Sequence, residues 1–208
     1  MSYICLMVND AGAVAAADSR ETFPARVHLD WRQKCFSLPE QRLIWACCGP
    51  TLRYGVDVLR AVRQILRADT PMEARLERIA KLVGALTRVN LVGGDPGPFC
   101  LLAAQWEEGG FTVWDCQVRR GVLTHHRTRL RPGEALFLHA GAWHRAMPPL
   151  DPDRLKGLSY EALRAAAQER VALAIQKDEQ RLAQNPKHNQ TIGGRVRCVG
   201  LRVKEKTV

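Results

Sequence analysis

The stretch that decides the reading is Met1-Ser2-Tyr3-Ile4-Cys5-Leu6-Met7-Val8-Asn9-Asp10-Ala11-Gly12-Ala13-Val14-Ala15-Ala16-Ala17-Asp18-Ser19-Arg20. Two apolar runs, 4–8 and 13–18, flank the turn signal Asn9-Asp10-Ala11-Gly12, which predicts a β-hairpin. Nearly every position in both arms is apolar, so the hairpin is expected to be covered on both faces. Behind Met1 stands serine, a small residue, and cytosolic removal of the methionine is expected. That exposes a hydroxyl and an α-amine on one residue, and an amine with a pKa near ~8 is a serviceable base at neutral pH. An amine so placed can activate the adjacent hydroxyl without a histidine.

Further along, Lys34–Leu38 and Arg42–Cys47 predict a second hairpin around Pro39-Glu40-Gln41. Cys48-Gly49-Pro50-Thr51 is expected to open a helix, with Val56, Leu59, Val62, Ile65 and Leu66 at helical spacing. After the break at Asp69-Thr70-Pro71 a second helix is predicted through Leu76, Ile79, Leu82, Val83 and Leu86, ended by Gly93-Gly94-Asp95-Pro96-Gly97. Strands are expected at 99–106, 111–118, 121–128 and 135–139, a surface loop at 148–158, a long helix from Ser159 to Ala183, and a closing strand at 195–203. Strands in antiparallel runs and helices in succession fit two stacked sheets with helices outside them better than alternating βαβ units. No linker separates two domains, so residues 1–208 are expected to form one.

The chain is 46% hydrophobic and 25% charged, the balance of a soluble globular protein. No apolar run approaches the ~20 residues of a membrane span, and the start lacks a signal-peptide pattern. A cytoplasmic protein is expected. Seven cysteines, an odd number with two adjacent, read as free thiols, without zinc spacing. The net charge of +10 raises the question of nucleic acid, but the basic residues spread along helices and no short nucleic-acid motif is present. His125-His126 read as a solvated strand, and no metal or cofactor is implied. Neither His139 nor His144 is taken as a catalyst, and Cys47 and Cys48 read as small buried hydrophobes. Trp106, Trp114 and Trp143 read as core or interface residues.

Ser2 through Arg20 resembles the start of a proteasome β-type subunit: an N-terminal nucleophile, a buried first hairpin, then Ala-Ala-Asp-Ser-Arg. Asp18 lies sixteen residues past Ser2 and Lys34 thirty-two past it, the separations of that family's catalytic aspartate and lysine. Gly49 resembles its oxyanion-hole glycine, and Gly193-Gly194 its Gly-Gly step before the last strand. The closest likeness in style is to bacterial HslV-type and Anbu-type peptidases. The resemblance implies an α+β, four-layer αββα Ntn-hydrolase fold, with Ser2 as nucleophile, Lys34 against its hydroxyl, Asp18 holding Lys34, and the Gly49 N–H at a helix N-terminus receiving the oxyanion. It places Glu21, Arg32 and Cys47 in the substrate pocket and Asn189 near the terminal amine. The pattern is departed from where serine replaces threonine, where Gly141-Ala142-Trp143 lacks a serine, and where Asn189 and Ile192 replace an aspartate and a serine.

The implied activity is cleavage of peptide bonds by a homo-oligomer, on polypeptide substrate and with an unfoldase partner conceivable. No nucleic-acid or membrane partner is implied. A scaffold subunit that keeps the fold without turnover, and an Ntn amidase for a small substrate, are the alternatives. Intact mass spectrometry of the purified chain is expected to give the mass that begins at Ser2; retention of Met1 excludes terminal-amine catalysis.

Overall fold

The computed structural model describes residues 2–22, 28–49, 52–53, 56–88, 97–142, 144–185, 187 and 191–203. The first hairpin is β1 (Tyr3–Asn9) and β2 (Gly12–Asp18), buried at every position. The Asn9 carboxamide oxygen accepts the Ala11 N–H at 2.9 Å and shapes the turn. This hairpin is the centre of a four-stranded antiparallel sheet in the order β12-β1-β2-β13, where β12 is Leu136–Gly141 and β13 is Val196–Arg202. The second sheet has five strands in the order β11-β10-β9-β6-β5. These are β5 (Cys35–Leu38), β6 (Leu43–Cys48), β9 (Phe99–Glu107), β10 (Gly110–Arg119) and β11 (Val122–Arg129). Two short pairs, β3 (Glu21–Thr22) with β4 (His28–Leu29) and β7 (Leu52–Arg53) with β8 (Val56–Asp57), lie outside the sheets. The helices are α1 (Val58–Leu66), α2 (Met72–Arg88) and α3 (Tyr160–Gln184).

Three apolar layers follow from alternation along the strands. Ile4, Leu6 and Val8 of β1 and Ala13, Ala15 and Ala17 of β2 meet Ile44, Ala46, Leu102 and Val113 of the other sheet. The opposite faces of β1 and β2 carry Tyr3, Cys5, Met7, Val14 and Ala16, packed on Leu163, Ala167, Val171 and Ala174 of α3. Beyond the second sheet, Trp45, Leu101, Ala103 and Trp114 pack on Val62 and Leu66 of α1 and on Leu76, Ile79 and Val83 of α2. The order helix, sheet, sheet, helix is the expected αββα sandwich. Alanines fill β2 because a sheet and a helix both press on it, leaving little room for larger side chains.

Two expectations are corrected. The helix does not open at Cys48-Gly49. The chain first makes the β7–β8 pair, and α1 starts after Asp57, whose carboxylate caps it by accepting the Arg60 N–H at 3.1 Å. Aspartate at the cap satisfies an amide that Gly49-Pro50 lies too early to serve, and Val56 belongs to β8. The segment 148–158 is also more than a surface loop. A short 3₁₀ turn at Pro152–Leu155 buries Leu155, and the Asn9 amide donates to the Leu155 and Leu158 carbonyls at 2.8 and 2.9 Å. The expected helix end at Gly93–Pro96 lies outside the described residues.

Ile44 is wholly buried between the sheets. Truncation by Ile44→Ala is expected to cost about 2–5 kcal/mol through lost transfer energy and a residual cavity, read as a fall in the urea midpoint with an unchanged slope.

Candidate active site

Ser2, Asp18 and Lys34 converge although they come from the chain start, the end of β2 and the approach to β5. β1 and β2 pair in a register that sets Ile4 opposite Ala17; one step further, the Tyr3 N–H donates to Asp18 Oδ1 at 2.9 Å. Lys34 is fixed from the other sheet, where its carbonyl accepts the Cys47 N–H at 3.0 Å. Its Nζ donates to Ser2 Oγ at 2.7 Å, to Asp18 Oδ2 at 3.1 Å and to the Arg20 carbonyl. Three donors therefore meet three acceptors, which saturates an ammonium. Lys34 is 1% exposed, Asp18 0% and Ser2 5%. Burial pushes the Asp18 carboxyl above the ordinary aspartate value, while the Lys34 ammonium and the Tyr3 and Gly193 amides oppose the rise.

The last strand's approach closes the floor. The Gly193 carbonyl accepts the Ser19 and Arg20 N–H groups at 3.2 and 3.1 Å. Its own N–H points at Asp18 Oδ2 at 3.4 Å, and the Arg20 N–H reaches the same oxygen at 3.1 Å. Ser19 Oγ donates to the Asp30 carbonyl and accepts the Arg195 N–H, both at 2.7 Å. A Cβ on Gly194, where φ is +73°, would lie 2.5 Å from Ser19 Oγ, so glycine is required there by space and by backbone. Opposite, the Ser2 carbonyl accepts the Ala142 N–H at 2.8 Å. A Cβ on Gly141 (φ +97°) would fall 1.8 Å from that carbonyl oxygen and 3.1 Å from Cys48 Sγ. The end of β12 thus forms one wall against Ser2, shared with Cys48.

Of the expected pocket residues, Glu21 and Arg32 lie beside this group, whereas Cys47 faces away from it. The Arg32 N–H bonds the Ser19 carbonyl at 2.9 Å. Its guanidinium donates to Asp57 at 2.6 Å and lies 3.6 Å from the Glu21 carboxylate. Cys47 is fully buried and points to the α1–α2 layer; burial raises its thiol pKa, opposed by the charges of Lys34 and Arg32. Gly49, with φ +120°, closes on the start of β9: a Cβ there would lie 2.7 Å from the Pro98 carbonyl oxygen. No helix starts at it, so the expected helix-dipole contribution is absent from that position. Asn189 lies outside the described residues.

Sequence reading passed over several residues. Asp178 on α3 is fully buried and accepts the Thr191 and Ile192 N–H groups at 2.8 and 3.0 Å, which sets the bend leading to Gly193. The signal was present: Asp178 continues the buried stripe of Leu163, Ala167, Arg170, Val171 and Ala174, a place where an unpartnered carboxylate is costly. Tyr3 Oη bonds His139 Nδ1 at 3.0 Å and accepts from Arg170 Nε at 3.3 Å. Burial and the Arg170 charge lower the His139 pKa to about 4. Asp57 was detectable only as a cap. His125 and His126 lie on the exposed β11. Among the described residues no group of three or more His, Cys, Asp or Glu is placed to hold a metal ion, and no helix is long and apolar enough to cross a membrane.

This architecture, with its strand order and buried central hairpin, defines the proteasome β-type, Ntn-hydrolase fold. Among solved structures the chain is similar to Anbu, the ancestral beta-subunit, from Yersinia bercovieri, at 15% identity and a TM-score of 0.55 over 96% of this chain and 81% of that one. It is also matched with Thiobacillus denitrificans BPH in complex with epoxomicin, at 12% identity and a TM-score of 0.49 over 97% and 99%. No family model and no curated protein matches the sequence.

Lys34→Met strands the buried Asp18 carboxyl and is expected to cost about 3–5 kcal/mol. Adding Asp18→Asn should recover part of that loss, so that denaturant unfolding gives a coupling energy above about 0.5 kcal/mol in a double-mutant cycle.

Proposed function

We propose that this chain, once Met1 is removed, is an N-terminal-serine hydrolase of proteasome type that cleaves peptide bonds. The observation that carries the reading is the 2.7 Å contact of Lys34 Nζ with Ser2 Oγ inside a buried site. With all three of its N–H bonds committed, an ammonium at Lys34 has no vacancy for a proton from Ser2. The base is then the Ser2 α-amine, directly or through water. Ser2 Oγ attacks the carbonyl carbon, its proton passes to the amine, and the amine returns a proton to the leaving nitrogen. The Lys34 charge favours the developing alkoxide, and Asp18 holds Lys34 in place. The Gly49 N–H receives the oxyanion, an interaction whose removal typically costs ~3 kcal/mol in barrier. Asn189 is assigned to the terminal amine as a hydrogen-bonding partner.

Glu21, Arg32 and Cys47 are assigned to the substrate pocket. The Arg32 guanidinium lies against both Glu21 and Asp57, and a pocket lined by both charges favours a charged side chain ahead of the cleaved bond over a plain apolar one. Residues 1–208 act as one domain. The active form is a homo-oligomer in the cytoplasm, acting on polypeptide, with an unfoldase as the conceivable further partner. A non-catalytic scaffold is the second reading. It is favoured by Ile192, whose apolar side chain is packed under α3 where the resembling family carries a serine.

The test is labelling and turnover by the mature chain. A β-lactone or epoxyketone probe should add once, at Ser2, and a fluorogenic peptide with Arg before the scissile bond should be cleaved faster than one with Leu. Ser2→Ala should abolish both labelling and turnover. A mature Ser2 that takes up neither probe nor peptide leaves the scaffold reading.

A further inference from the structure

The geometry points to a peroxide-reactive thiol pair, Cys48 and Cys100, set in the wall of the Ser2 site and able to close into a reversible disulfide. Cys48 ends β6 and stands directly opposite Cys100 of β9. Opposed residues in an antiparallel pair hold their Cα atoms about 4.5–5.5 Å apart, inside the range of about 4.4–6.8 Å that a disulfide spans. Both side chains face the space between the sheets.

Cys100 is the nucleophile of the pair. On its other side it stands opposite Gln117 of β10. Donation from Cys48, aided by Gln117, holds the Cys100 thiol below its usual pKa against its burial, whereas Cys100 itself and then burial push the Cys48 thiol up. Gln117 is exposed and Cys100 is 7% exposed, so a small oxidant has an approach from the Gln117 side. The other side of Cys48 touches the place where Gly141 meets the Ser2 carbonyl.

The chemistry balances with hydrogen peroxide as oxidant. The Cys100 thiolate attacks one peroxide oxygen, giving the sulfenic acid and hydroxide. The Cys48 thiol then attacks the Cys100 sulfur, expelling the hydroxyl as water. Overall, two thiols and one peroxide give one disulfide and two waters. A dithiol reverses it by exchange. Closure draws the Cys48 sulfur away from the Ser2 wall and ties β6 to β9 one residue before Gly49.

The full-length chain is treated with hydrogen peroxide, free thiols are alkylated, and peptides are mapped. A cross-link joining Cys48 to Cys100, with loss of two hydrogens and full recovery of both thiols in dithiothreitol, is expected. Cys47→Ala should keep the cross-link, because Cys47 faces the helices, whereas Cys48→Ala and Cys100→Ser should each abolish it. Circular dichroism confirms folding, and either single variant suffices if the other does not fold. Cys48 and Cys100 remaining free thiols while the half-buried Cys198 is oxidised overturns the proposal. So does conversion of Cys100 to the sulfinic acid with no cross-link.

Discussion

The interaction on which the site depends is the buried ammonium of Lys34. An ammonium taken from water without partners is prohibitively costly. Here its three hydrogens reach Ser2 Oγ, Asp18 Oδ2 and the Arg20 carbonyl. Asp18 in turn receives the amides of Tyr3, Arg20 and Gly193. The acceptors come from the chain start and from the end of β2, and Asp18 also takes the Gly193 amide, so satisfying one charge fixes the chain start, the end of β2 and the approach to β13 at once. Removing any one partner leaves a buried group unpaired, which is why such a site holds its geometry more strictly than its apolar surroundings do.

The supporting residues form a second ring with the same logic. Ser19 bridges the Asp30 carbonyl and the Arg195 amide, and Arg20 makes a two-pronged pair with Asp30 at 2.7 Å for both contacts. Asp178 ties α3 to the bend at Thr191-Ile192. Tyr3 anchors the residue next to Ser2 through His139 and Arg170. These contacts leave the serine little freedom of position.

Much of the fold was legible because its signals are local. The paired apolar runs around Asn9–Gly12, the helical spacing in 72–88 and the Ser159 cap, which accepts the Ala162 N–H at 3.3 Å, each depend on neighbours in sequence. The separations of Asp18 and Lys34 from Ser2 were legible as a pattern, and the structure brings those three side chains together. The start of α1 was misread because Gly49-Pro50 imitates a helix opening, while the decisive cap, Asp57, lies seven residues beyond Pro50. Gly141 and the His139 pair with Tyr3 were not legible, since their roles come from contacts across more than a hundred residues or from space that a side chain would fill. Gly141 shows this well: its need for glycine comes from the Ser2 carbonyl, 139 residues earlier in the chain.

The position of the first hairpin has a consequence for biosynthesis. β1 and β2 leave the ribosome well before their outer neighbours β12 and β13, which lie more than a hundred residues further along the chain. Contacts of such long sequence separation form slowly and late. The neighbourhood of Ser2, Asp18 and Lys34 is therefore completed only after β12 and β13 have been made, since Gly141 and Gly193 belong to it.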